Sequence, residues 1–294
     1  MIPDLQAWPT GTGAVVRGEN PAQAEARAAF FAGVMRSAAS GAVPPASDAE
    51  GLALAWLVMQ AFGRVSPETV ARRLPSMQVE AASRVRAACA PAAGLRQGTG
   101  EVQAGPPEAA HAGFFAVNVH RLRHRRFDGG MSDLLTREVF VMGDAVTVLP
   151  YDPVRDRVLL IEQFRTGPFG RGDPLPWQLE AIAGRIDPGE TPENAARREA
   201  LEEAGLVLGG LEKVAGYYPT PGAVTEYLYS YVALCDLPDG VAGVFGAEAE
   251  GEDIRGHLLS FDQLVGVMAA GEIGNAPLLL TVLWLQRERA RLRG

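Results

Sequence analysis

The chain has 294 residues, 47% of them hydrophobic, which is long enough for two domains and too apolar for wholesale disorder. A formal net charge of −8 disfavours a general nucleic-acid binder, and no apolar run reaches the roughly 18 residues of a membrane span. Its two cysteines, Cys89 and Cys235, lack zinc spacing and read as free thiols of a reducing cytoplasm.

Residues 1 to about 20 show no periodicity and read as a tail, with no basic start and apolar core to make a secretory signal. Asn20-Pro21 offers a cap and first position for a helix to about Ser40. Ser47 with Glu50 makes a capping box before an apolar segment, Leu52 to Phe62. Ser66-Pro67 opens a third helix, and Pro75 separates it from a fourth ending near Ala88. This region, taken as a domain over 1–110 with its linker, carries no His/Cys cluster, nucleophile motif or phosphate-binding glycine loop. Packing or dimer support is its expected role, with partner binding as the alternative.

Prolines and glycines over 89–112 read as that linker. From Gly113 the period becomes two: Phe115, Val117 and Val119 alternate with Ala116, Asn118 and His120. Strands are expected at Arg137–Val141, Ala145–Leu149, Val158–Gln163, Trp177–Ala183, Val214–Tyr218, Tyr227–Leu234 and Gly256–Ser260. An acidic, glycine-rich loop spans Asp236 to Asp253, and two helices follow, Phe261–Ala270 and Ala276–Arg291.

One further helix carries the chemistry. Thr191 is its N-cap, Pro192 its first position and Gly205 its stop. Glu199, Glu202 and Glu203 stand at i, i+3 and i+4, which at about 100° per residue places three carboxylates on one side. Crowded like charges need cations among them, and hard oxygen ligands in a partial cage describe a Mg²⁺ site. Arg198 can pair with Glu202 one turn on. A solvated, salt-bridged helix face is the plainer alternative, disfavoured by the glycine turn ahead of the helix.

The stretch from Gly184 to Leu206 resembles the Nudix box. Five residues separate Gly184 from Glu190 and seven separate Glu190 from Arg198-Glu199; Ala200, Glu202-Glu203, Gly205 and Leu206 complete the register. The resemblance implies an α/β Nudix α/β/α sandwich with a mixed sheet over 111–294, preceded by the small all-helical region. It also implies divalent-metal hydrolysis of a nucleoside diphosphate linked to another group. Pro221, fifteen residues beyond Leu206, marks the ADP-ribose pyrophosphatase subgroup. Gly113–Ser132, Arg137–Phe140 and Leu160–Arg165 resemble bacterial enzymes of that subgroup as well.

The resemblance then implies roles. Ala183 (through its carbonyl), Glu199, Glu203 and Glu252 would bind Mg²⁺, with Mn²⁺ as a substitute, and Glu202 would support them. The base maps to Glu250 on the acidic loop, with Glu248 close by. Phe114 and Phe115 would pack on adenine, and Arg137 and Glu138 contact it across a homodimer with swapped strands. Arg165 would meet the diphosphate unless it only pairs with Glu162, Pro221 and Gly222 would contact the substrate, and Glu226 would accept from the terminal ribose. Met142 departs from the arginine often found there. ADP-ribose is thus the expected substrate, giving AMP and ribose 5-phosphate. Another nucleotide-sugar diphosphatase (GDP-mannose or ADP-glucose) and a non-catalytic ADP-ribose sensor are the alternatives. The basic run Arg121, Arg123, His124, Arg125, Arg126 is expected to form intersubunit salt bridges rather than to bind nucleic acid.

Overall fold

A computed structural model describes residues 21–38, 48–89, 100–246 and 252–294. By compactness the chain separates into two units. The first is Met1–Gly143 with Asp187–Gly189 and Thr220–Glu226; the second is Asp144–Ile186, Glu190–Pro219 and Tyr227–Gly294.

The first unit opens with four helices, α1 (Pro21–Ser37), α2 (Asp48–Gln60), α3 (Pro67–Ala71) and α4 (Leu74–Ala88). Ser66 caps α3 by accepting the Thr69 N–H, as its Ser-Pro start predicts, whereas Ser47 lies outside the described residues. Phe30, Val34, Leu54, Val58 and Leu74 form their shared core. The linker reading of 89–112 is corrected by two strands, β1 (Val102–Ala104) and β2 (Glu108–Ala112). They lie in succession along one edge of β3 (Ala116–His124), and β4 (Leu135–Val141) takes the other. Pro106 and Pro107, which have no N–H to donate, interrupt the ladder between β1 and β2.

Within one chain the basic run already has partners. Arg121 pairs with Glu108 at 2.9 Å, Arg126 with Asp128 at 2.6 Å and Arg125 with Glu101, all within one chain. Arg123 donates to the Ser132 carbonyl at 3.2 Å.

The second unit holds a mixed sheet built from β5 (Ala145–Asp152), β6 (Arg157–Phe164), β7 (Trp177–Glu180), β8 (Ile182–Arg185), β9 (Leu211–Tyr217), β10 (Leu228–Leu234), β11 (Val244–Phe245) and β12 (Ile254–Ser260). The main order is β11-β12-β6-β5-β10-β9, with β5 and β10 parallel. The short helix α5 (Thr166–Arg171) and β11 have no periodic signal in the sequence. The remaining helices are α6 (Pro192–Ala204), α7 (Phe261–Ala269) and α8 (Ala276–Arg293). Alternate strand residues feed two cores. Val146, Val148, Leu159 and Ile161 pack with Ala195, Ala196, Ala200 and Ala204 of α6, while Leu149, Tyr151, Val158 and Leu160 pack with Leu264, Leu278, Val282 and Leu285 of α7 and α8. Helices on both faces of a mixed sheet give the expected sandwich. Among the described residues no helix is long and apolar enough to cross a membrane.

One detail of the sheet positions everything that follows. The β5–β6 hairpin pairs only next to its turn, Tyr151 with Val158 and Asp152 with Arg157. Beyond that the two strands splay, and β8 pairs with β5 while β7 pairs with β6 in the opened gap. Ala181, buried at the bend between β7 and β8, anchors this wedge.

Candidate active site

Helix α6 starts on Thr191, whose side chain accepts the Asn194 N–H, and stops at Gly205 with φ of 62°, a conformation that favours glycine. Its inner face is mostly alanine, which lets the helix backbone approach the sheet and brings Glu203 into the interior at 3% exposure. Glu203 Oε2 accepts the Ala183 N–H of the wedge at 3.1 Å. Burial pushes this carboxyl up to about 8, and the charges of Glu199 and Glu252 add to the rise. Glu199 is raised too, chiefly by burial, against the lowering effect of Arg198.

Gly184 explains its own place in the motif. A Cβ there would overlap the Glu199 carboxylate, so only glycine lets that side chain lie against the wedge backbone. Gly184→Ala should therefore keep the fold but cost about 10²-fold in turnover by displacing Glu199. Wild-type turnover in this variant would contradict the placement.

Arg198 organises the remaining carboxylates. Its Nε and Nη2 donate to the two oxygens of Glu190 at 3.1 and 3.0 Å. Nη1 reaches Glu199 at 2.7 Å and Glu202 at 3.0 Å, and Nη2 also reaches the Arg185 carbonyl at 2.9 Å. All five guanidinium donors are used. Burial works against its charge, yet the Glu190 hydrogen bonds and the Glu199 charge outweigh it and raise its pKa above the usual arginine range. The expected Arg198–Glu202 pair is one part of this larger knot.

The NUDIX domain family matches residues 142–281, a span that takes in β5, the wedge and α6. The chain is 39% identical over 196 residues to the ADP-ribose pyrophosphatase of Escherichia coli K12, covering 67% of this chain and 93% of that one. This chain belongs to the Nudix hydrolase family. It is also 34% identical to the ADP-ribose pyrophosphatase of Haemophilus influenzae, covering 63% of this chain and 86% of that one. To the GDP-mannose pyrophosphatase of Enterobacter sp. 638 it is again 34% identical, over 51% of this chain and 77% of the relative.

Nudix enzymes of this kind depend on a divalent metal. The residues present fit such an ion in their chemistry: buried, mutually repelling carboxylates, one of them held protonated near neutrality, are what a cation would relieve. Among the described residues no group of three His, Cys, Asp or Glu side chains is placed to hold a metal ion. Arg198 meanwhile occupies one oxygen of Glu199.

The raised Glu203 carboxyl gives the metal-free Nudix protein a testable pH dependence. With a folded pKa of about 8 against 4.5 in an open chain, Glu203 binds its proton more tightly when folded. Its contribution to stability is complete below pH 4.5 and is lost as pH rises through 8. Melting in chelator should therefore weaken from pH 4.5 toward 8, and Glu203→Gln should flatten that slope. An unchanged slope in the variant would assign the dependence elsewhere.

The other expected residues fall as follows. Arg165 pairs with Glu180, through Nε at 3.0 Å and Nη2 at 2.7 Å, while Glu162 holds His257 at 2.7 Å. The alternative of a Glu162 partner for Arg165 is thus corrected to Glu180. Glu203 and Glu252 also act on Arg165 electrostatically. Glu180 was missed because a lone acid in a short strand carries no motif; only the register that sets it opposite Ile161 brings it to Arg165. Glu248 and Glu250 lie outside the described residues.

In the first unit, the Phe114 and Phe115 rings are 4.8 Å apart and Phe115 lies 4.9 Å from Phe140, with Phe114 well exposed. Arg137 and Glu138 are exposed on β4. The segment carrying Pro221, Gly222 and Glu226 is tied to the end of β4. Phe140 exchanges backbone hydrogen bonds with Ala223 and Thr225, and Thr225 Oγ1 bonds both the N–H and the carbonyl of Met142. Those Met142 bonds use only its backbone, so the departure from arginine leaves the tie intact.

Proposed function

We propose that this chain hydrolyses ADP-ribose to AMP and ribose 5-phosphate by attack of water on the diphosphate, with Mg²⁺ as its ion and Mn²⁺ able to substitute. The observation that carries the reading is the buried Glu203 beside Glu199 and Glu252, on a chain that spans 93% of an ADP-ribose pyrophosphatase at 39% identity.

Glu199, Glu203, Glu252 and the Ala183 carbonyl would hold the ion, and Glu202 would support them. A bound divalent ion supplies charge to the diphosphate oxygens and lowers the pKa of a coordinated water. Arg198 keeps Glu199 and Glu202 oriented while Glu190 fixes Arg198. Glu180 takes Nε and Nη2 of Arg165, leaving Nη1 for a phosphate oxygen. Glu250 is assigned the proton of the attacking water, with Glu248 as the alternative. Phe114 and Phe115 stack on adenine beside Arg137 and Glu138; Pro221 and Gly222 shape the sugar side, and Glu226 accepts from the terminal ribose. We further propose a cytoplasmic homodimer with swapped strands. In it, residues 1–110 form an accessory region ahead of a hydrolase domain over 111–294, and α1–α4 fall outside the family match.

The GDP-mannose relative supplies the second reading. Product release from ADP-ribose, GDP-mannose and ADP-glucose should give kcat/KM at least about 10²-fold higher for ADP-ribose, because sites built to hydrogen-bond one group reject analogues lacking it. Equal or reversed values would overturn the substrate choice. ADP-ribose binding with Mg²⁺ but without AMP release would replace the enzyme with a sensor.

A further inference from the structure

The first unit contains a cavity of about 120 Å³ built from none of the residues assigned to hydrolysis. Helices α2, α3 and α4 with Pro107, Ala109, Ala112 and Asn118 wall it, and the buried side chains of Leu57, Val70 and Met77 supply an apolar surface. Arg64, Arg73, Arg84 and Glu80 also line it.

These charges are not balanced among themselves. Arg84 is committed to Glu80, with Nε and Nη2 at 3.1 and 2.9 Å from the same oxygen, and its guanidinium lies 4.7 Å from the Trp56 ring centroid. Among the described residues Arg64 donates only to the Pro107 carbonyl, at 2.9 Å. Neither Arg64 nor Arg73 meets a carboxylate among the described residues. Arg64 and Arg73 thus line the cavity with guanidinium charge that no carboxylate of the described residues takes up, which points to an anionic acceptor supplied from outside the chain.

Size and lining narrow that acceptor. A cavity of roughly 150 Å³ accommodates benzene, whereas nucleotide-sized ligands need about 300 Å³ or more, so this one takes a molecule of about six heavy atoms. The guanidinium fork matches a planar carboxylate, and the apolar wall favours an alkyl tail over a fully hydrated anion. We propose that the cavity is a binding site for a short aliphatic carboxylate, its headgroup on Arg73 and Arg64 and its tail against Leu57, Val70 and Met77.

Saturation-transfer NMR on the full chain tests this with butyrate, butyramide and inorganic phosphate as probes. Butyrate should bind saturably, and neither butyramide nor phosphate should displace it at equal concentration. Arg73→Met, which keeps the packing, and Arg64→Gln, at an exposed position that does not threaten folding, should each weaken butyrate about tenfold or more. Absence of saturable butyrate binding, or wild-type affinity in a folded Arg64→Gln chain, would overturn the site. Phosphate binding as tight as butyrate would overturn the requirement for a tail, and with it the assigned ligand class.

Discussion

Glu203→Gln is expected to lower hydrolysis by about 10³-fold or more while the protein remains folded. The amide is isosteric, but it removes the one carboxylate of the motif helix that is enclosed in the interior. Metal-assisted diphosphate cleavage draws several kcal/mol from charge stabilisation, which converts to roughly that factor. The fold should survive because burial already penalises the Glu203 charge, so the metal-free chain gives up no favourable ionic state at neutral pH. Turnover at saturating Mg²⁺ and a melt in chelator separate the two effects. Substantial residual activity would remove Glu203 from the metal site, and an unfolded variant would make its role structural.

Replacing Arg198 should damage stability and activity together. In Arg198→Met, Glu190, Glu199 and Glu202 lose their shared cation and the Arg185 carbonyl loses a donor. Stripping a cation from buried carboxylates costs about 3–5 kcal/mol, and exposed pairs contribute under about 1; the half-exposed Glu202 places this knot lower, near 2–4 kcal/mol. Turnover should fall about 10²-fold as Glu199 loses its orientation. Arg198→Lys should recover only part of each loss, since an ammonium offers three donors where five are used. A denaturant titration beside steady-state rates provides the measure. Full rescue by lysine would mean that charge alone, and not the fork, is needed.

The motif helix was the most legible part of the chain because its determinants are local. Thr191, Pro192 and Gly205 set its ends, and the spacing of Glu199, Glu202 and Glu203 sets their common side. The sandwich could also be read, since strand alternation and the two apolar C-terminal helices survive without knowledge of partners. What the residues concealed depends on pairing across distance. Strands β1 and β2 are hidden in a Pro/Gly-rich stretch because they are ordered by β3 rather than by their own propensity. Nothing near Arg165 in sequence announces Glu180, and nothing near Arg121 or Arg125 announces Glu108 or Glu101. The cavity lining likewise joins helices to strands more than twenty residues away, a relation that no periodicity encodes.

The wedge between β5 and β6 has a consequence for how such a chain can diversify. The connection from β6 to β7 is closed at its base by the Arg165 N–H to Pro176 carbonyl bond at 3.0 Å, directly beyond the Phe164–Trp177 pair. Residues 166–175 can therefore lengthen or shorten without moving the ladder below them. The wedge backbone that faces Glu199 and Glu203 stays fixed while this connection varies. Insertions and deletions in this connection can thus be inherited without disturbing the backbone on which the buried carboxylates rest.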